Sequence, residues 1–248
     1  MNDIIPKPEN DPINDLANRY RRAGGLGLQV MNLVGGQAEN LLERLPEAVK
    51  AQLEAATLKA LQSSLSLAQK SRGGLPDGAN WLNTAVTTAM GAAGGFGGLP
   101  TALVELPVTT TILLRAIQGV AARHGFDVTR EDIQKECLQV FAAAGPLDHD
   151  DGSDMAFLAS RVTITGGTVQ ALIAKVAPRL SVVLGQKLAA QAVPILGAVA
   201  GAGINYSYTN YYQEMAEIHF GLKKLEVETG EPMAALVIRL KAELLAIS

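Results

Sequence analysis

The chain has 248 residues, and 21 Lys plus Arg against 24 Asp plus Glu leave a net charge of −3. That balance excludes a strongly basic nucleic-acid binder, and a single cysteine excludes an internal disulfide framework or a multi-cysteine zinc site. Hydrophobic residues make up 48% but aromatics only 4%, so a sizeable core must be filled mostly by Ala, Leu and Val.

Residues 1–15 contain Pro6, Pro8 and Pro12 among Asp and Asn, and are expected to form a disordered N-terminal arm. They lack the basic start and apolar run of an export signal, so the expected location is the cytoplasm. From Ala17 to Leu45, Val30, Leu33, Val34, Leu41 and Leu45 recur at helical spacing, interrupted by glycines at 24, 25, 27, 35 and 36. Pro46-Glu47 suits the first turn of a second helix, because proline lacks only an N–H that would be orphaned there. Val49, Leu53, Ala56, Ala60, Ser64 and Leu67 give that helix one inward face, and the segment Gly73 to Gly78 ends it.

Gly78 to Val104 carries no charge. Glu105-Leu106-Pro107 is expected to open a helix that runs to about Arg123 and closes at His124-Gly125-Phe126-Asp127. Thr129 with Asp132 has the spacing of a capping box. The helix after it should bury Ile133, Cys137, Leu138, Val140 and Phe141. Asp148 to Asp154 reads as an acidic loop, and Val162-Thr163-Ile164-Thr165 as a connector. Two helices are expected next, 168–177 and 179–193, divided by Pro178. A second uncharged stretch, Leu188 to Gln213, ends in four of the five tyrosines. The helix beyond it should bury Met215, Ile218, Leu222 and Leu225 and stop at Gly230. Pro232 then starts a last helix with Met233, Leu236, Val237, Leu240 and Leu244 inward. Strands and helices do not alternate, so the expected fold is all-α. It is a single compact multi-helix bundle with Gly/Ala-rich central helices, one domain over residues 16–248.

Gly91 and Gly95, Gly94 and Gly98, and Gly197 and Gly201 are spaced four apart, which lets two helix backbones approach closely. Tight packing inside a bundle explains this, with Gly197 and Gly201 at a close crossing. Both uncharged stretches also reach the length of a bilayer span. Their Gly, Ala, Thr and Ser content makes insertion weakly driven.

Few residues are placed to carry chemistry. Glu105 and Arg115 are the charges of an otherwise neutral region, Gly78 to Gln118. Glu105 is expected at a helix N-terminus, where the dipole favours it and where Asn205 can donate to it. His219 borders an apolar helix face and reads as a core or rim histidine. His124 suits a helix C-terminus. Asp148, Asp150 and Asp154 offer oxygen ligands for a hard cation, but the spacing is not that of an EF-hand, and a solvated loop is the better reading. Cys137 reads as buried and inert. The P-loop, a strand-linked GxGxxG, GxSxG and HExxH are missing, so no cofactor is expected.

Several motifs stand in order: Gly91 to Gly98, Glu105-Leu106-Pro107 with Arg115, and Gly125-Phe126-Asp127. Val193 to Ala198, Gly201 to Asn205, Ala216 with His219-Phe220, and Leu225-Glu226 follow. In order and spacing they resemble the EcsC protein family, over about residues 40–245. The resemblance implies a bacterial helical protein and a membrane-transport neighbourhood. The family is named for a protein encoded beside the ATPase and membrane subunits of an ABC transporter, and it has no established enzymatic activity. The functional expectation is a cytoplasmic accessory factor, peripheral at the inner membrane and linked to ABC transport or protein secretion. Its expected partners are a membrane surface or transporter components, and no nucleic acid. Two alternatives remain at this point. One is a hydrolase with Glu105, Arg115, Asn205 and His219 in one pocket; the other is a helical protein whose neutral stretches insert into membrane.

Overall fold

The computed structural model describes residues 11–23, 47–72, 98–142, 168–191 and 197–246, and among them every regular element is a helix. We number them α1 (12–23), α2 (Glu47–Arg72), α3 (Gly98–Arg123), α4 (Glu131–Phe141), α5 (Val169–Gln191), α6 (Gly197–Thr229) and α7 (Met233–Leu245). The all-α expectation therefore holds. The acidic loop 148–154 with Asp148, Asp150 and Asp154, the connector 162–165, and the glycine pairs involving Gly91, Gly94 and Gly95 lie outside the described residues.

Pro12 does not keep its segment irregular. Asp11 accepts the Ile13 N–H on its carboxylate at 3.0 Å, and its carbonyl accepts the Asn14 N–H at 2.9 Å. Asp11 thus caps α1 and Pro12 occupies the first helical position, where its missing N–H costs nothing. Residues 12–15, expected in the arm, are helical, and Ile13 is buried with Leu16, Ala17 and Ala23.

Three expected boundaries also move. The helix thought to open at Glu105 begins at Gly98, with Pro107 inside it. The Pro107 carbonyl accepts hydroxyl bonds from Thr111 at 2.7 Å and from Ser64 of α2 at 3.2 Å, so packing against α2 holds the chain helical there. α5 runs unbroken through Pro178. Val176, Ala177 and Leu180 are buried on both sides of that proline, and tertiary burial outweighs the local penalty. From Gly197 the second neutral stretch and the amphipathic helix after it are one helix of 33 residues, about 50 Å long; the stretch's first four residues, 188–191, end α5.

Other boundaries follow the sequence. Phe126 N–H bonds the Ala121 carbonyl at 3.0 Å and Gly125 N–H bonds the Ala122 carbonyl at 2.9 Å, with Gly125 at φ +88°. This Schellman closure needs glycine at the left-handed position. α4 buries Ile133, Cys137, Leu138, Val140 and Phe141, as its periodicity requires. The capping box does not form, because the Thr129 hydroxyl donates instead to Asp127 at 2.7 Å, and Arg130 precedes the helix without a side-chain cap. At the other end, Gly230 stops α6 at φ +72°, and the Glu226 carboxylate accepts the first N–H of α7, from Met233, at 2.9 Å.

α3 packs against α2, α4, α5 and α6 and is the centre of the bundle. Its direction relative to α6 follows from burial. Arg123 and His124, at its C-terminal end, meet Glu217 of α6. Beyond Leu222, the α6 residues Lys224, Val227, Glu228 and Thr229 are exposed, whereas α3 is buried along Leu113 to Ala121. α3 therefore lies along the earlier part of α6, from Asn205, and the two helices run the same way. α4 runs opposite to them: Glu136 meets His219 and Lys223, and Phe141 packs on Tyr212 with ring centroids 5.1 Å apart. α1 and α7 close the remaining side of α6. Arg19 of α1 bonds Glu214 at 3.1 Å, Arg21 bonds the Glu243 carbonyl at 2.9 Å, and Arg239 of α7 reaches Asp11 at 3.4 Å.

Candidate functional site

The polar residues of α6 point to three different neighbours. Glu214 meets α1 through Arg19. Three residues later, a little short of a full turn, Glu217 accepts Arg123 at 2.8 Å and His124 at 2.9 Å at the end of α3. His219 and Lys223, one turn apart, face α4. Glu136 takes the His219 Nε2 on one carboxylate oxygen and the Lys223 ammonium on the other, the latter at 2.5 Å. Burial works against the Glu217 charge, but the hydrogen bonds from His124 and then Arg123 outweigh it and lower its pKa from 4.5 to about 2.

The Glu136–His219 contact has the composition of a catalytic base pair but not its access. His219 is 0% exposed and its Nε2 is already engaged by Glu136. A general base must reach a substrate proton. Here the carboxylate instead ties α4 to α6, and the charges satisfy one another at the helix interface.

The four residues expected in one pocket are not brought together. Asn205 and His219 are both buried on α6, but fourteen positions separate them, about 21 Å along the axis. No single substrate atom can lie near both. Arg115 is half-buried on α3. Glu105 lies about two turns inside α3 rather than at its N-terminus, because the helix starts at Gly98; its side chain is outside the described residues. Among the described residues, no group of three or more His, Cys, Asp and Glu is placed to hold a metal ion.

Sequence reasoning missed Glu136 and Glu217, the two carboxylates that organise these contacts. The signal for Glu136 was present: it stands next to Cys137 and three residues after Ile133, at the edge of the buried face of α4. It also missed the close crossing at Gly221. A Cβ there would stand 2.8 Å from Leu16 Cδ2 of α1, so a side chain at this position forces the Leu16 side chain to shift. Gly197 and Gly201, expected at a crossing, form the first turns of α6.

The match that decides the family covers residues 29–225, about four-fifths of the chain. The chain belongs to the EcsC protein family. No curated protein and no solved structure matches it. The EcsC match ends at Leu225, inside the last turns of α6, and begins after α1. It therefore takes in Glu136, His219 and Lys223 together, while α1 and α7 lie outside it. The Lys223-Lys224 pair splits in two directions in this EcsC chain: Lys223 binds Glu136, and Lys224 reaches Glu228 at 3.6 Å on the exposed side.

Proposed function

We propose that this EcsC protein is an accessory factor that acts peripherally at a membrane, in support of ABC transport or protein secretion. The observation that carries this reading is the nearly uncharged half of each of two packed helices, α3 and α6. From Gly197 to Gln213, α6 has no charged residue, and α3 has Glu105 alone between Gly98 and Leu114. Because the two helices run the same way, these neutral halves lie at the same end. Val108 and Tyr206 are exposed there on neighbouring helices. On α6 the charges are kept to the later half, where Glu214, Glu217, His219 and Lys223 find their partners.

Among the described residues, no helix is long and apolar enough to cross a membrane. The mode in keeping with this is contact with the interface, in which a few apolar side chains and uncharged helix ends meet the headgroup region without a span. Flotation of the purified protein with liposomes tests it. Recovery with the vesicles, reduced by Tyr206→Glu with Val108→Glu, is the expected result. Complete recovery in the soluble fraction, together with no co-purification of a transporter or secretion component from membranes, overturns it.

A further inference from the structure

Val108 and Ile112 stand four residues apart on α3, and Tyr206 and Asn210 four apart on α6, the helix packed beside it. Residues at that spacing share one helix face, so each pair forms a row. Val108 and Tyr206 are exposed, Ile112 and Asn210 are half-buried, and Pro107 is exposed next to Val108. None of these residues is charged. The nearest charge along α3 is Glu105, one turn before Val108, and it is negative. The first Lys or Arg of α3 is Arg115, seven residues past Val108, or about 10 Å along the axis. On α6 it is Lys223, seventeen residues past Tyr206, or about 25 Å. α2 reaches this region where the Ser64 hydroxyl donates to the Pro107 carbonyl at 3.2 Å. Its nearest cations, Lys59 and Lys70, stand five and six residues from Ser64.

We propose that these two rows enter a bilayer whose headgroups carry no net charge, and that lipid packing, not lipid charge, sets the attachment. The inference rests on the peripheral membrane reading above and names the lipid class which that reading requires. Attraction to anionic lipid comes from Lys and Arg held at the surface. The rows present neither, and the nearest charge along α3 is of the wrong sign. The net charge of −3 adds a weak repulsion from an anionic surface. What remains to hold the protein is apolar burial. Val108 and Ile112 bring aliphatic surface, and Tyr206 seats its ring at the acyl boundary with its hydroxyl among the headgroups. So few side chains make a shallow insertion. Contacts of this kind depend on curvature and lipid composition, and they are easiest where the headgroup layer is already spread.

The test floats the full-length protein with phosphatidylcholine vesicles, small and large, and with small vesicles that also contain phosphatidylserine, each at low and at high salt. The expected result is greater recovery with small than with large phosphatidylcholine vesicles at equal lipid. Neither phosphatidylserine nor salt should raise or lower it. In Val108→Ser with Tyr206→Ser, partition onto the small phosphatidylcholine vesicles should fall at least about tenfold. Both side chains are exposed, so the fold is retained, and circular dichroism checks this. Attachment only to vesicles with phosphatidylserine, lost at high salt, overturns this inference and leaves the membrane reading in place. Equal recovery on small and large vesicles, or recovery unchanged in the double variant, also overturns it. Absence from every vesicle overturns direct lipid contact and this inference with it.

Discussion

Gln118 lies on α3 among Leu114, Ile117 and Ala121, fully buried, and neither its amide nitrogen nor its carbonyl oxygen has a hydrogen-bond partner among the described residues. The Thr110 hydroxyl, two turns earlier on the same face, is in the same position. Buried threonines elsewhere use their own helix: Thr57 donates to the Leu53 carbonyl at 2.7 Å and Thr209 to the Asn205 carbonyl at 2.8 Å. Gln118 has no such local outlet, and an unsatisfied buried group costs about 1–3 kcal/mol. Gln118→Met keeps the length of the side chain and removes both polar atoms. We expect it to stabilise the protein by about 1–3 kcal/mol, read as a higher urea midpoint at unchanged slope. A lower midpoint would mean that the amide is bonded in solution. Glu217 gives a second expectation at this scale. Its folded pKa is about 2 against 4.5 in the unfolded chain. A carboxyl with a depressed pKa contributes stability above the unfolded value, and that contribution is lost as pH falls through the folded value. The window is therefore from about pH 4.5 down to about 2, and the contribution is on the order of 3 kcal/mol. In Glu217→Gln the fall in urea midpoint over that window should be visibly shallower. Identical acid profiles for the two proteins would remove Glu217 as the cause.

At the scale of elements, the Glu136 contact decides how α4 sits on α6. Removing one partner of a buried charged group leaves the others uncompensated, at about 3–5 kcal/mol, whereas replacing the group by apolar residues can be nearly neutral. Glu136 and Lys223 keep about a fifth of their side-chain surface exposed, so Glu136→Ala should destabilise by less than that, about 1–3 kcal/mol, and by less still when His219→Leu is made in the same protein. Thermal unfolding of the single and double variants measures the difference; equal losses in both would show that the carboxylate acts elsewhere. The same contact explains what was legible in the residues. Periodicity identified the buried face of α4 residue by residue, and Gly125 and Gly230 marked their helix ends, because both signals are local. Pro107 and Pro178 were misread as boundaries for the same reason: what carries the helix through them is a contact with another element, or burial on both flanks. His219 was rightly placed at the edge of an apolar face. Its partner Glu136 stands 83 positions earlier in the chain, and no local pattern pairs residues at that distance. Asn205 and His219 needed only the rise of a helix to be separated, once α6 was known to be continuous between them.

The whole molecule is closed by helices that the family match leaves out. α1 and α7 meet through Arg239 with Asp11 and through Arg21 with the Glu243 carbonyl, and α1 crosses α6 at Gly221. The crossing is close because glycine leaves room for Leu16. Ile13 and Leu16 are 3% and 8% exposed, and Ala17 and Ala23 are buried beside them. Fully burying two such aliphatic side chains is worth about 3–6 kcal/mol, several times more than the exposed ion pairs that accompany them. α1 is therefore part of the core and not an ornament on it, although its start looks like an irregular arm in the sequence. Removal of residues 1–23 should lower stability by about 3–6 kcal/mol and uncover the apolar face of α6 around Gly221. Two measurements check this: urea unfolding of the shortened protein, and the fluorescence of a dye that binds exposed apolar surface. The dye signal should rise in the shortened protein before any denaturant is added. Leu16→Ala in the full chain supplies the intermediate case. It keeps α1 and its ion pairs but opens the crossing, and large-to-small changes of this kind cost about 2–5 kcal/mol. If truncation left the urea midpoint unchanged while Leu16→Ala lowered it, α1 would be strained against the bundle rather than closing it.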